Sequence, residues 1–447
     1  MTSPFAHDSV TATVDCWPSA DPEDGATGRS TRLLLPVRQH RRAVAGSRFL
    51  RRVVITNYKS IGGCDVTLEP LTFLVGPNGA GKSNFLDALR FVADALNRTV
   101  DHALRDRGGI NEVRRRSGGH PIHFGIRLDF ELPAGVTGSY AFRVGSRSRK
   151  GFEVQREDCV VHHPEALGES SRFRVISGEV ESTIKTVPPA TPDRLYLTIA
   201  SGLPEFRSLF DTLSQMGFYN LNPDKIRELQ PPDPGFLLAR DGSNLASVLG
   251  VLSSLDPSAT ERVEEYLRRL VPGVEGVSQR PIGPRETIEF RQQVAGAGSP
   301  WRFLAASMSD GTLRALGVLA ALFQSGSGPS SAARLVGIEE PEVALHPAAA
   351  GVLLDALREA SRRVQVVVTS HSPDLLDSDD IDTASLLAVT ADQGVTVIGA
   401  VDEVGRSTLR DRLFTPGELL RLDQLTPDPK AKEVAVGRQL NIFESMP

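Results

Sequence analysis

The chain has 447 residues, 40% of them apolar and 23% charged, with a formal net charge of −5 and three cysteines. A chain of this make-up can bury a large core, which excludes wholesale disorder, and its length suits about three domains. Cys16, Cys64 and Cys159 have no paired spacing, which excludes a disulfide framework or a cysteine metal site and fits a reducing cytosol.

Residues 1–50 read as a disordered extension: there are five acids and no Lys or Arg in 1–24, then eight arginines and no acid in 25–52. The N-terminus has no apolar core of a secretory leader, and runs such as Leu316–Phe323 are far shorter than the about 20 residues that span a bilayer. Beyond residue 52 there remain 42 basic and 50 acidic residues, a body at −8 that does not look like a general nucleic-acid binder.

Order is expected from Val53, with a strand at Val53–Ile55, a turn over Asn57–Gly63 and a short strand through Val66–Leu68. Leu71–Val75 reads as a buried strand that stops at a glycine-rich loop. Phe85, Leu89, Val92 and Leu96 then recur at helical spacing. From Ile122 to Leu132 apolar residues alternate with polar ones or Gly, and the theme repeats in 139–144, 151–161 and 172–184, which predicts an antiparallel β-meander. Residues 190–330 read as mostly helical, with one helix opened by Asp241-Gly242-Ser243 and another marked by Val263, Leu267 and Leu270. No heptad run of three repeats is present, so a long coiled coil is excluded. Strand, helix and strand return over 334–338, 347–362 and 364–369, and 400–447 is polar with one short helix near Pro416–Leu422.

Gly76-Pro77-Asn78-Gly79-Ala80-Gly81-Lys82-Ser83 fits G-x-x-x-x-G-K-[ST] between a buried strand and a helix, the context that makes the pattern a P-loop. Its amides and the helix N-terminus form a concave anion site; Lys82 supplies a cation for the β/γ-phosphates and Ser83 a hydroxyl for Mg²⁺. The strand Leu335–Ile338 ends in Glu339-Glu340-Pro341-Glu342. Two adjacent carboxylates at a strand end point to opposite sides and suit two roles, one near Mg²⁺ and one as general base toward water. Thr369-Ser370-His371 follows the next strand, where a histidine could reach a terminal phosphate. Ser309-Asp310-Gly311 precedes an apolar helix, and reads either as a helix cap or as an N-terminus that receives a phosphate.

In this order the four elements resemble the ABC-type ATPase heads of the RecF/SMC group, which includes OLD-like and "AAA family" ATPases. The closest likeness is to short bacterial forms without a coiled coil or nuclease domain. The likeness runs from about Val53 to Leu422 and includes Asn57-Tyr58-Lys59-Ser60, Pro223, Arg227 and Asp241–Leu245. It implies an α/β P-loop NTPase fold with an antiparallel β-meander subdomain and a helical, signature-bearing lid. It also implies that Gly76–Ser83 with Asn84 hold ATP, that Ser309 and Gly311 touch the nucleotide of a partner subunit, and that Ser83 and Glu339 hold Mg²⁺. Glu340, His371 and Lys82 then carry the catalysis, and Ala344–Pro347 match the D-loop. Glu339 departs from the usual Asp by one methylene, and Asp310 replaces a glycine of transporter signatures.

The domain division expected is 1–50 extension, 51–189 P-loop lobe with meander, 190–330 helical lid, 331–400 Walker B and switch part, and 401–447 tail. The function expected is that of a cytoplasmic ATPase acting as an ATP-gated, head-to-tail homodimer in DNA repair, recombination or anti-phage defence. DNA or an effector nuclease is a further partner, and no membrane partner is expected. The rival readings are an ATP-gated scaffold with little turnover, a transporter's nucleotide-binding subunit, and an OLD-type nuclease using Asp380 and Asp382. That Asp-x-Asp pair reads more simply as a solvated loop.

Overall fold

The computed structural model describes residues 48–443, apart from 118–120, 148–150, 165–169, 185–186, 325–332 and 438–439. The extension expected over 1–50 lies outside the described residues as far as 47. Its last residues, however, belong to the core. Phe49 and Leu50 are buried, and their amides donate to Oε1 of Gln365 at 3.2 and 2.8 Å. Strand β1 (Leu50–Tyr58) therefore starts three residues before Val53; the apolar pair is masked in sequence by the arginines on either side of it.

Strand β2 (Ile61–Thr67) is longer than the sequence suggests and contains Gly62 and Gly63. A Cβ on either would come within 2.3 Å of a backbone oxygen of residues 434–435, so the two glycines admit a C-terminal helix rather than form a turn. Strand β3 (Leu71–Val75) leads through the glycine-rich loop into helix α1 (Lys82–Asn97), followed by the short α2 (Val100–Arg105) and α3 (Ile110–Val113). Phe85, Leu89, Val92 and Leu96 are all buried, each contributing about 1.5–3 kcal/mol of apolar transfer.

The meander is present as β4 (His123–Glu131), β5 (Thr137–Arg147), β6 (Gly151–His162), β7 (Ser170–Ile176) and β8 (Glu179–Ser182), paired antiparallel in sequence order. The following segment holds α4 (Tyr196–Ala200), α5 (Pro204–Ser214), β9 (Gly217–Tyr219), α6 (Pro223–Arg227), α7 (Leu245–Leu255) and α8 (Pro257–Leu270). It is not wholly helical. Strands β10 (Val274–Ile282), β11 (Arg285–Gln292) and β12 (Trp301–Leu304) form a separate antiparallel sheet before α9 (Asp310–Phe323). Buried Ile288 and Phe290 alternate with charged residues there, but Pro281 and a density of Arg, Gln and Glu hide the period.

Strand β13 (Leu335–Glu339), helix α10 (Ala350–Ala360) and strand β14 (Gln365–Ser370) complete the expected return to alternation. After them come β15 (Leu386–Asp392), β16 (Val395–Ala400), α11 (Glu403–Arg410), α12 (Pro416–Arg421) and α13 (Pro429–Val436). Among its described residues the tail thus carries three helices where one was expected. Two are helices of only eight residues, too short for a readable period.

Thirteen strands share one sheet in the order β8-β7-β6-β5-β4-β1-β2-β16-β15-β3-β14-β13-β9, in which β15, β3, β14, β13 and β9 are mutually parallel neighbours. Alternate residues of these parallel strands feed two cores. Phe73, Val75, Val336, Ile338, Val366 and Val368 pack with the lid side. Leu74, Leu335 and Val367 pack with α1 and the meander. Both faces are covered, so the functional groups gather at the strands' C-terminal ends.

Candidate nucleotide site

The P-loop leaves β3 at Val75 and closes on α1. Gly79 and Gly81 have φ of 79° and 101°, in the left-handed region. A Cβ on Gly81 would sit 2.0 Å from Oγ1 of Thr396, whereas one on Gly79 would meet nothing within 4 Å. Gly81 is therefore needed for conformation and space, Gly79 for conformation alone. Pro77, Asn78 and Gly79 are exposed, and Ala80 is buried. Nζ of Lys82 donates to the carbonyls of Gly76 and Pro77 at 2.8 and 3.0 Å. Burial draws Lys82 below the ordinary lysine range, against the opposing pull of Glu340 and Glu342.

The loop is braced from outside. Thr396 on β16 donates to the carbonyl of Ala80 at 2.9 Å and lies 2.6 Å from Oγ of Ser60. Nδ2 of Asn84, a residue expected among the nucleotide contacts, donates to Oγ of Ser60 at 2.7 Å. Lys59 and Tyr58 both reach Asp87 on α1, at 2.6 and 2.8 Å. Burial pushes the Asp87 carboxyl up, but Arg107, Arg90 and Lys59 overcome it and hold it below the usual carboxylate range. Tyr58, Lys59 and Ser60, at the end of β1 and the turn that follows, thus clamp the P-loop helix.

Glu339 ends β13, and its Oε1 accepts from Nη2 of Arg240 at 2.9 Å. Glu340 has φ of 45°, and its amide donates to the Thr369 carbonyl on β14 at 3.0 Å. Nδ1 of His371 lies 3.1 Å from Oε1 of Glu340, but off the line of a ring N–H, so the two are neighbours without a formed hydrogen bond. Lys82, Glu340 and His371 therefore follow the ends of adjacent strands β3, β13 and β14. Ser83 is exposed beside them.

Glu342 belongs to the same cluster, a residue to which sequence reasoning assigned no role. Its Oε1 accepts from Ser370 Oγ at 2.6 Å, and its buried Oε2 has no hydrogen-bond partner. Burial pushes its carboxyl above the usual range, with the Ser370 hydrogen bond opposing. The third acid of the Glu-Glu-Pro-Glu string was the available signal; its burial against Ser370 was not readable.

Ser309 caps α9: its Oγ accepts from the Thr312 amide at 3.2 Å and lies 2.9 Å from Oγ1 of Thr312. Ser309 and Asp310 are exposed. Arg227 pairs with Asp310 and donates to the Met308 carbonyl, which offsets the acid at this helix N-terminus. Gly311 packs on the turn at Ala344: a Cβ there would lie 2.3 Å from the Ala344 carbonyl. Asp382, by contrast, caps a local turn by accepting from the Ala384 amide at 3.0 Å. Among the described residues no group of three or more His, Cys, Asp or Glu could hold a metal, and no helix is long and apolar enough to cross a membrane.

The residues fit ATP and Mg²⁺. An amide-lined, glycine-curved loop with a lysine suits phosphates. An exposed Ser83 hydroxyl and the Glu339 carboxylate, which already attracts a guanidinium, suit a hard cation.

The sequence profile of the family described as "AAA domain, putative AbiEii toxin, Type IV TA system" matches residues 71–171 and 186–377, well over half of the chain. The chain belongs to this family. All the motif residues named above from the P-loop to His371 fall inside the matched ranges. The chain is similar to Structural maintenance of chromosomes protein 1 of Schizosaccharomyces pombe, with 28% identity over 280 residues, 55% of this chain and 22% of that protein. It is also similar to DNA replication and repair protein RecF of Vibrio vulnificus, with 32% identity over 106 residues, 22% of this chain and 28% of that protein. The chain therefore spans only 22% and 28% of the lengths of these curated relatives. Among solved structures it is similar to the Smc head domain with an extended coiled coil bound to the C-terminal domain of ScpA, from Pyrococcus furiosus. The TM-score is 0.50 at 13% identity, over 82% of this chain and 99% of that one. That likeness is one of fold. Family and fold agree on an ABC-type, RecF/SMC-like ATPase head built on the P-loop NTPase architecture.

Proposed function

We propose that the chain binds ATP with Mg²⁺ and hydrolyses it to ADP and phosphate as a head-to-tail homodimeric clamp in the cytoplasm. The observation that carries this reading is the meeting of Lys82, Glu340 and His371 at the C-terminal ends of three adjacent parallel strands, β3, β13 and β14. Open α/β sheets take their ligands at that edge.

The amides of 79–83 and Nζ of Lys82 hold the β- and γ-phosphates. Ser83 and Glu339 offer oxygens to Mg²⁺, which supplies charge neutralisation at the phosphates. Glu340 accepts a proton from the attacking water, and His371, beside its carboxylate, orients toward the γ-phosphate. Asn84, Ser60 and Thr396 hold the loop in shape.

The P-loop and the signature stand about 230 residues apart. The hydrogen bonds of Ser309 stay within its own helix, and its exposed end, with Gly311, is free to receive the γ-phosphate held by a second copy. A two-fold pair completes both sites at once. Similarity to a DNA replication and repair protein and to a chromosome maintenance protein supports a setting in DNA repair or recombination with DNA as partner; anti-phage defence with an effector nuclease is the alternative setting of the same proposal.

Steady-state turnover with Mg²⁺ tests the reading. Wild type should release phosphate, Lys82→Ala should lose nucleotide binding, and Glu340→Gln should bind ATP with turnover down at least a hundredfold, the scale of lost general-base catalysis. Binding without turnover in wild type would favour an ATP-gated scaffold. The Arg240 guanidinium on Glu339 is the observation on that side.

A further inference from the structure

Helix α9 touches the catalytic turn at two places. Near its start, Gly311 lies against the Ala344 carbonyl, too close for any Cβ. One turn further on, Arg314 reaches across: Nη1 donates to the Glu340 carbonyl at 3.4 Å and Nη2 to the Leu221 carbonyl at 2.8 Å. The Glu340 carbonyl also closes a turn by accepting from the Val343 amide at 3.2 Å. Both ends of the bridged segment are in the left-handed region, Glu340 at φ 45° and Ala344 at φ 66°, a conformation that costs a non-glycine residue about 1–3 kcal/mol. A segment held in that state by its surroundings responds to small shifts of whatever holds it.

We propose that Arg314 is a positioning residue that ties the signature helix to Glu340. Displacement of α9, when its N-terminus meets a nucleotide on a second copy, then re-aims the general base on its own copy. This rests on the ATPase-dimer reading above. The chain of contacts runs from the Ser309 cap, through one turn of α9, to the guanidinium, the Glu340 main chain and the Glu340 carboxylate. It is contiguous, and each link is a hydrogen bond or a backbone contact of the kind that can carry coupling between sites. Arg314 is half-buried. Burial lowers its pKa, and the nearby Glu340, Glu342 and Asp310 work against that. Its buried Nε has no hydrogen-bond partner, so its place is fixed by the two carbonyls rather than by an ion pair.

The test is a double-mutant cycle of Arg314→Met with Ser309→Ala, read in kcat, with ATP affinity by calorimetry and the thermal midpoint measured alongside. Arg314→Met should lower kcat at least tenfold while ATP affinity stays within twofold. Arg314→Lys should restore part of kcat, because an ammonium can serve one of the two carbonyls. If both residues act along one route, the double variant should be no slower than about the worse single one. Losses that multiply, or a wild-type kcat in Arg314→Met, would overturn the proposal. So would kcat and ATP affinity falling together in both Arg314 variants, since that marks a purely structural residue. The parent reading has its own control. If wild type shows no turnover, or Glu340→Gln keeps it, the ATPase assignment falls and this inference with it. If that control holds and Arg314→Met is silent, only the role of Arg314 is wrong.

Discussion

Arg240 donates to Oε1 of Glu339 at 2.9 Å, joining the loop ahead of α7 to the end of β13 across 99 residues of sequence. The guanidinium is about half exposed, so the pair is worth at most about 1 kcal/mol. It nevertheless places a positive charge on the carboxylate proposed to support Mg²⁺. Arg240→Ala is predicted to lower the Mg²⁺ concentration needed for half-maximal nucleotide binding by about fivefold, the equivalent of that 1 kcal/mol. Titrating Mg²⁺ against a fluorescent ATP analogue measures it. An unchanged or higher requirement would show that Arg240 supports Glu339 instead of competing for it.

The N-terminal boundary of the fold can be placed by truncation. A protein beginning at residue 51 loses the buried Phe49 and Leu50 and the two amides that meet Gln365. At about 1.5–3 kcal/mol for each side chain, it should unfold at clearly lower urea than one beginning at residue 44. The longer protein should keep ATP turnover within about twofold of the full chain. Equal urea midpoints would mean that these two residues add nothing to the core.

Glu157 on β6 predicts a pH dependence of stability. Its carboxylate accepts from Tyr140 Oη at 2.9 Å and from the amides of Tyr196, at 2.5 Å, and Leu197, at 2.8 Å. Burial still pushes it from the ordinary 4.5 up to about 7. Between those values the folded chain holds a proton that the unfolded chain releases, so this contribution is complete below about pH 4.5 and fades as pH rises to 7. At 1.36 kcal/mol per pKa unit the fade amounts to about 3 kcal/mol. Glu157→Gln should flatten the wild-type decline between pH 5 and about 7.5 in urea midpoints, whatever its absolute stability. Parallel declines in the two proteins would place the titration elsewhere.

The sequence was most readable where period and punctuation agree. Leu71–Val75, the glycine loop and the Phe85–Leu96 stripe specify strand, cradle and helix together, and the Ile122–Leu132 alternation specifies the first meander strand. The lid sheet was hidden because Ile288 and Phe290 sit among charges and Pro281 interrupts its first strand. The candidate site was readable as a list of acids, a lysine and a histidine, but not as a set of partnerships. Ser60 and Thr396 lie 336 residues apart and Arg314 is 26 residues from Glu340, separations that only the folded sheet brings to hydrogen-bond distance. Glu342 was visible as a letter, yet its burial against Ser370 depends on β13 and β14 being parallel neighbours.

The central claim is that each ATP is completed by the signature of a second copy, and light scattering of Glu340→Gln tests it most directly. Replacing the carboxylate by a carboxamide of the same shape removes the base and should let ATP bind without turnover, so the closed dimer accumulates by mass action. The account predicts a doubled mass with ATP and Mg²⁺ and a monomer with ADP. It predicts a monomer again when Ser309→Arg is added, with ATP affinity at the mutant's own P-loop unchanged. The same mass in all three conditions, with wild-type turnover first-order in protein down to nanomolar concentrations, would contradict it.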